Sequence, residues 1–220
     1  MDKKYIFRLS AIIFALSGLI LIFGILIPII KYEVISRQKY PVLISPVKTT
    51  LGGVLGWEFK DTTQMENWLE GKEYPYNNTQ NVSYTLSISA LNIRNATVTI
   101  GGQDLKKSLI HFPGTAMPGK IGNSVIFGHS VLPIFYNPSD YKTIFSKLPT
   151  LEEGDIIEIN FDQIEFKYSV VSMFEVYPED IQIIEQEASD SYLTLVTCVP
   201  PGDPRMPRRL VVRAKIIPFN

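Results

Sequence analysis

Apolar residues change their spacing twice along this chain. From Leu9 to Ile30 no charge interrupts LSAIIFALSGLILIFGILIPII. About 20 apolar residues are what a helix needs to cross the hydrocarbon core of a membrane. Lys3, Lys4 and Arg8 precede the run, and Lys31 is the first charge after it. The basic flank predicts a single-pass anchor with its N-terminus in the cytoplasm and the rest of the chain outside. A cleaved signal peptide is the alternative. The run is long for one, and Pro28-Ile29-Ile30-Lys31 offers no small-x-small cleavage site.

The boundaries read as 1–8 cytoplasmic N-terminus, 9–30 transmembrane anchor, 31–83 extracellular stalk or linker, and 84–220 the main domain. In the stalk, KYPVLISPV suggests a short strand. DTTQMENWLEGKEY suggests a helix, with Asp61 or Thr62 as N-cap and Gly71 near its end. YPYNNTQN is rich in turn formers.

From Tyr84 the period becomes two. TLSISALNI places Leu86, Ile88 and Ala90 on one face, and ATVTIGG follows a turn at Arg94-Asn95, which predicts a hairpin. SVIFGHS reads as a short buried strand ending at His129. SDYKTIFSKL suits a short helix capped by Ser139, with Tyr141, Ile144, Phe145 and Leu148 on one side. IIEINF, IEFKYSVVSMFEV, YLTLVTC and RLVVRAKII read as further strands. The count is about seven or eight strands, an all-β barrel or sandwich outside the membrane. Periodicity does not separate the two.

Net charge is −1, and no basic stripe appears, so nothing points to nucleic acid. There is no GxGxxG or Walker loop and no HExxH motif, and Cys and His are too few for a zinc set. Cys198 is the only cysteine, so no intramolecular disulfide can form. It stands at the end of one apolar strand, His129 at the end of another, and Arg209 at the start of a third. Strand ends gather at a barrel rim, which would bring the three together. A thiolate is a nucleophile, a histidine handles protons, and an arginine holds an oxyanion. That set suits acyl transfer through a thioester. His111 is the second-choice histidine and is expected to be a loop residue near the site. Arg208 adjoins Arg209, but neighbours in a strand face opposite ways, and the spacing to LVVRA favours Arg209. Arg213 would share the face of Arg209. Arg205 lies in the loop as a decoy or a substrate contact.

Four stretches resemble the sortases, membrane-anchored cysteine transpeptidases of bacterial surfaces. TLVTC resembles the TLxTC nucleophile motif, and RLVVRA the strand opened by the catalytic arginine. GNSVIFGHS resembles the segment ending in the catalytic histidine, and HFPGTAMPGKIGN the loop before it. The spacing in FSKLPTLEEGD is also similar. The resemblance covers about Tyr84 to Ile217.

It implies a closed sortase-like β-barrel of about eight strands with short helices, preceded by the transmembrane helix. It implies Cys198 as nucleophile, His129 as general acid/base and Arg209 as substrate and oxyanion stabiliser. The implied partners are secreted proteins with a C-terminal LPxTG-like sorting signal, cut after Thr. The implied acceptor is an amine on a peptidoglycan precursor or a pilin. A hydrolase on the same scaffold, or a non-catalytic β-domain with Cys198 as packing, are the alternatives.

No cofactor is expected. Some sortases bind calcium near the position of the acidic stretch with Glu179, Asp180, Glu185, Glu187 and Asp190, but ordinary solvated acids are the reading here. Residues 31–84 hold no Asp-Pro-aromatic lid motif, as some pilus-building sortases do. The proline-rich loop VPPGDPRMP should be stiff and shape a groove.

Overall fold

The computed structural model describes residues 3–40, 61, 63–69, 74, 82–187, 189–205 and 208–218. The strand suggested by KYPVLISPV falls almost wholly outside the described residues, as does Gly71.

Helix α1, Lys3–Lys39, holds the whole apolar run. Its apolar side chains from Ile12 to Ile30 are largely exposed, and it is long and apolar enough to cross a membrane. The helix continues past Ile30, so the first nine residues assigned to the stalk are helical. Tyr32, Lys39 and Tyr40 then tie it to the main domain. The Tyr32 hydroxyl donates to Glu175 Oε1 (2.6 Å), and the Tyr40 hydroxyl to the Pro149 carbonyl (2.6 Å). Lys39 Nζ donates to the Leu151 carbonyl (3.0 Å).

Eight strands follow: β1 Ser83–Ile88, β2 Ile93–Ile100, β3 Leu109–His111, β4 Gly122–Phe127, β5 Ile156–Phe161, β6 Ile164–Val176, β7 Ser191–Val199 and β8 Arg208–Ile216. They close into a barrel in the order β1-β2-β3-β4-β7-β8-β6-β5. Barrel, not sandwich, is therefore the architecture. β2/β3 and β4/β7 are parallel pairs, and the other neighbours run antiparallel. The long connection from β4 to β7 carries the β5–β6 hairpin, so β7 inserts between β4 and β8.

Alternation along each strand sorts the core into two clusters. Leu86, Ile88, Ile93, Val98, Leu109, Ile126, Ile159, Leu195, Leu210 and Val212 fill the barrel. Ile110, Val125, Phe127, Val196, Cys198 and Val211 face outward. Met65, Trp68, Leu69, Leu105, Ile183 and Ile184 cover that outer face.

Three local expectations are corrected. The β1–β2 connection is a 3-10 turn at Ser89–Leu91 with Asn92 left-handed, so the turn precedes Arg94-Asn95 and Ala90 is exposed. Ser139–Leu148 forms successive turns without an α-helix, followed by a 3-10 turn at Leu148–Thr150. In the described part of Asp61–Tyr74, the only helical turn is a 3-10 turn at Met65–Asn67. Gln64 bridges to Asp104 there, and Met65 N donates to the Gln103 carbonyl (2.9 Å). Packing on the barrel, not helical pairing, fixes this segment.

Candidate active site

Cys198 lies next to last on β7, and its direct partner across the antiparallel pair is Arg209 on β8. Directly paired residues project to the same face, with strands about 4.8 Å apart. On its other side β7 runs parallel to β4, with Phe127 opposite Val196. The chain continues this register past the strand end. Gly128 N donates to the Val196 carbonyl (3.1 Å), and the Thr197 hydroxyl donates to the Gly128 carbonyl (2.9 Å). The Ser130 hydroxyl donates to the Cys198 carbonyl (2.7 Å).

His129 therefore comes two residues after Phe127, alongside the end of β7. It sits just beyond β4, not within the strand. The three side chains expected to meet stand on three adjacent chain segments, with cysteine in the middle. Gly128 is dictated by packing: a Cβ there would come within 2.2 Å of the Phe145 ring.

The surroundings are dry. Cys198, Arg209 and His129 are 1%, 3% and 8% exposed. Burial pushes the Cys198 thiol up, and Arg209 draws it down. Burial also pushes the His129 imidazole down. A hydrogen bond that the ring donates to the Ser130 backbone, and the carboxylates of Asp61 and Asp140, oppose that. His129 Nδ1 is buried with no hydrogen-bond partner among the described residues.

Trp68 completes the site, and no sequence motif marks it. Its ring stacks under the Arg209 guanidinium (5.2 Å) and meets Phe127 edge-on (5.4 Å). Its carbonyl accepts from Arg209 Nη2 (3.4 Å). The signal available was an apolar Trp68-Leu69 pair within an acidic, polar segment. Asp61, read from the sequence only as a helix N-cap, and Asp140 act on His129, and neither carried a functional signal.

The other candidates lie elsewhere. Arg208 pairs with Val199 in the ladder and turns away, to Glu175 (3.1 Å) and Glu33. Arg213 shares the face of Arg209 but stacks on Tyr192 (4.6 Å) and pairs with Glu187 (3.9 Å). Arg205 pairs with Asp203 (2.6 Å).

His111 is a strand residue, not a loop residue, and is 1% exposed. Its Nδ1 lies 2.7 Å from the Tyr84 hydroxyl, and its Nε2 lies 3.0 Å from Thr115 Oγ1. The Thr115 hydroxyl already donates to the Phe112 carbonyl, so Nε2–H donates and Nδ1 accepts from Tyr84. Burial holds this imidazole down at about 4.

In the acidic stretch Asp180 accepts from Tyr177 N, and Asp190 pairs with Lys215 (2.7 Å). With Glu187 on Arg213, these acids serve separate partners. No group of three metal-ligating side chains occurs among the described residues.

A family model described as the sortase domain matches residues 86–217, more than half of the chain. The chain belongs to the sortase family. Curated sortases share shorter stretches. Sortase A of Bacillus anthracis is 29% identical over 97 residues, 43% of this chain and 42% of that one. Sortase D of Bacillus subtilis is 29% identical over 97 residues, 44% and 43% of the two chains. The chain thus spans about two-fifths of the length of these relatives in the match.

Among solved structures, a sortase D5 transpeptidase of Clostridium perfringens aligns with TM-score 0.53 and 26% identity. That alignment covers 65% of this chain and 82% of that chain. Sortase A of Corynebacterium diphtheriae aligns with TM-score 0.54 and 29% identity, covering 63% and 62%. The closed eight-stranded sortase barrel agrees with the fold expected from the sequence.

Proposed function

We propose that this sortase is a membrane-anchored cysteine transpeptidase acting through Cys198, His129 and Arg209. The observation that supports the reading is the β4–β7–β8 adjacency: Cys198 pairs directly with Arg209 across β7–β8, and the segment that carries His129 continues alongside the end of β7. In the active form Cys198 is a thiolate and His129 an imidazolium. Sγ attacks the peptide carbonyl carbon and Arg209 holds the developing oxyanion. The C–N bond breaks, and His129 gives its proton to the leaving amine. A thioester remains. An incoming amine attacks it, gives a proton back to His129 and releases the thiolate, which closes the cycle.

The substrate would be a secreted protein with a C-terminal LPxTG-like signal, cut after Thr. The acceptor would be an amine of a peptidoglycan precursor or a pilin. α1 would span the membrane once, with Lys3, Lys4 and Arg8 inside and the barrel outside.

The test incubates the full chain with an LPxTG-type peptide library, with and without triglycine or diaminopimelate, and reads masses. The expected result is an acyl adduct on Cys198 that moves to the amine. The adduct should be absent in Cys198→Ala and strongly reduced in His129→Ala and Arg209→Ala. An adduct that passes only to water would make the enzyme a hydrolase. A folded, reduced protein that forms no adduct would leave a binding domain.

A further inference from the structure

Outside the site, the most informative surface is the loop that leaves it. From His129 the chain runs through Ser130, Val131 and Leu132 to a 3-10 turn at Pro133–Phe135. Ile134 and Phe135 in this turn are 75% and 65% exposed. A large aliphatic and an aromatic side chain side by side, this exposed, need a partner of their own.

α1 says what that partner is. A cleft of about 440 Å³ is lined by Ile27, Pro28 and Lys31 of the helix and by Pro133, Lys147 and Pro201 of the barrel. A second cleft brings Ile29, Ile30 and Glu33 against Tyr177 and Arg205. Ile27–Ile30 are the last residues of the uncharged run, so they mark the level at which hydrocarbon gives way to headgroups. The barrel surfaces that share clefts with them lie at that same level. The proline-rich loop after Cys198 joins the loop after His129 in one rim: a Cβ on Gly202 would come within 2.8 Å of Leu132 N. Lys31 and Lys147, in the first cleft, supply positive charge where anionic headgroups would lie. Tyr136, adjoining Phe135 and stacked under Lys147 (4.6 Å), suits an interfacial aromatic position.

We infer that the Pro133–Phe135 turn inserts Ile134 and Phe135 into the outer leaflet of an anionic bilayer, docking the catalytic rim on the membrane. The inference rests on the reading of α1 as a membrane span. It gives the anchor a second role. The loop that enters the lipid is the one that begins at His129, so the site is held at the membrane surface and faces substrates emerging from it.

The single native cysteine makes the test direct. In a Cys198→Ala background, Phe135→Cys, Leu21→Cys and Ile164→Cys each receive a nitroxide label, in the full chain in nanodiscs containing phosphatidylglycerol. Leu21 lies in the apolar run. Ile164 begins the 13-residue β6, whose other end at Val176 pairs with Arg209, so it lies at the opposite end of the strand from the rim. Accessibility to oxygen, which favours lipid, is compared with accessibility to a water-soluble nickel chelate.

Leu21 and Phe135 should be oxygen-accessible and nickel-protected, and Ile164 nickel-accessible. Leu21 in lipid with Phe135 as nickel-accessible as Ile164 overturns the docking and leaves the anchor standing. Phe135 shielded from both reagents means that protein, such as a second copy, covers the turn, and also overturns it. A nickel-accessible Leu21 overturns the anchor and the docking together.

Discussion

Burial acts on Cys198 and His129 in opposite senses, and that decides how the site responds to pH. The thiol is pushed above its ordinary 9.0, and the imidazole below its ordinary 6.5. Between those limits both groups are mostly neutral, and the thiolate–imidazolium form is a small fraction. The rate should follow a bell with its acid limb below pH 6.5 and its alkaline limb above pH 9. Ultraviolet thiolate absorbance should rise only on the alkaline limb. A thiolate already complete at the rate optimum would sink this account. Arg209→Ala removes the guanidinium charge that draws the thiol down and should raise the thiol pKa further.

His111 sits outside this chemistry and bears on stability instead. Its pKa falls from 6.5 in the unfolded chain to about 4 when folded. The unfolded state binds the extra proton first, so this contribution is intact above pH 6.5 and is lost as pH falls through about 4. Across that window the loss approaches roughly 3 kcal/mol. His111→Gln can still accept from Tyr84 and donate to Thr115. It should therefore flatten the pH dependence of the unfolding midpoint between pH 6.5 and 4. An unchanged slope would assign the acid sensitivity to other groups.

At the scale of elements, what could be read from the sequence follows the origin of each element's order. β6, β7 and β8 are visible because alternating and β-branched residues state both their conformation and their buried faces. The Cys198–Arg209 pairing was foreseeable only as strand ends meeting at a rim; its register depends on β7 inserting between β4 and β8. The helix expected at Ser139–Leu148 fails for local reasons. Asn137 Oδ1 accepts from Ser139 N, Asp140 Oδ1 accepts from Lys142 N, and the Thr143 hydroxyl donates to the Asn137 carbonyl. Such side chains offer the backbone turns in place of a helix, and ten residues are too few to nucleate against them.

The segment through Trp68 was illegible for the opposite reason. It gains its order from the outer face of the barrel, which its own residues cannot announce. Its position has a consequence, because Trp68 lies against Arg209 beside a thiol that is 1% exposed. The cation–π and ring contacts together contribute about 2 kcal/mol. Trp68→Ala should shift the segment toward an open state and speed alkylation of Cys198 roughly thirtyfold at fixed pH. Trp68→Phe should fall between the two. Equal alkylation rates in all three proteins would show that the segment does not limit access.

The molecule as a whole is joined where α1 meets the barrel, and a buried charge cluster makes the joint. The Glu175 side chain on β6 is 1% exposed and takes Arg208 Nε (3.1 Å) and the Tyr32 hydroxyl (2.6 Å). Arg208 also reaches back to Glu33 on the helix. Two carboxylates around one guanidinium hold α1 to a strand that begins one residue from Arg209. Removing the cation strands the Glu175 charge away from water, and such a break costs about 3–5 kcal/mol. Arg208→Ala should therefore lower the unfolding free energy of the full chain by that order. Arg208→Ala made in a Glu175→Gln background should cost far less, because no buried charge is then left alone. The coupling, read from urea unfolding of the four proteins of the cycle, separates this joint from ordinary packing. Additive effects would mean that Arg208 contributes through its aliphatic stem. In that case the described hydrogen bonds that orient the rim would be those of Tyr32, Tyr40 and Lys39.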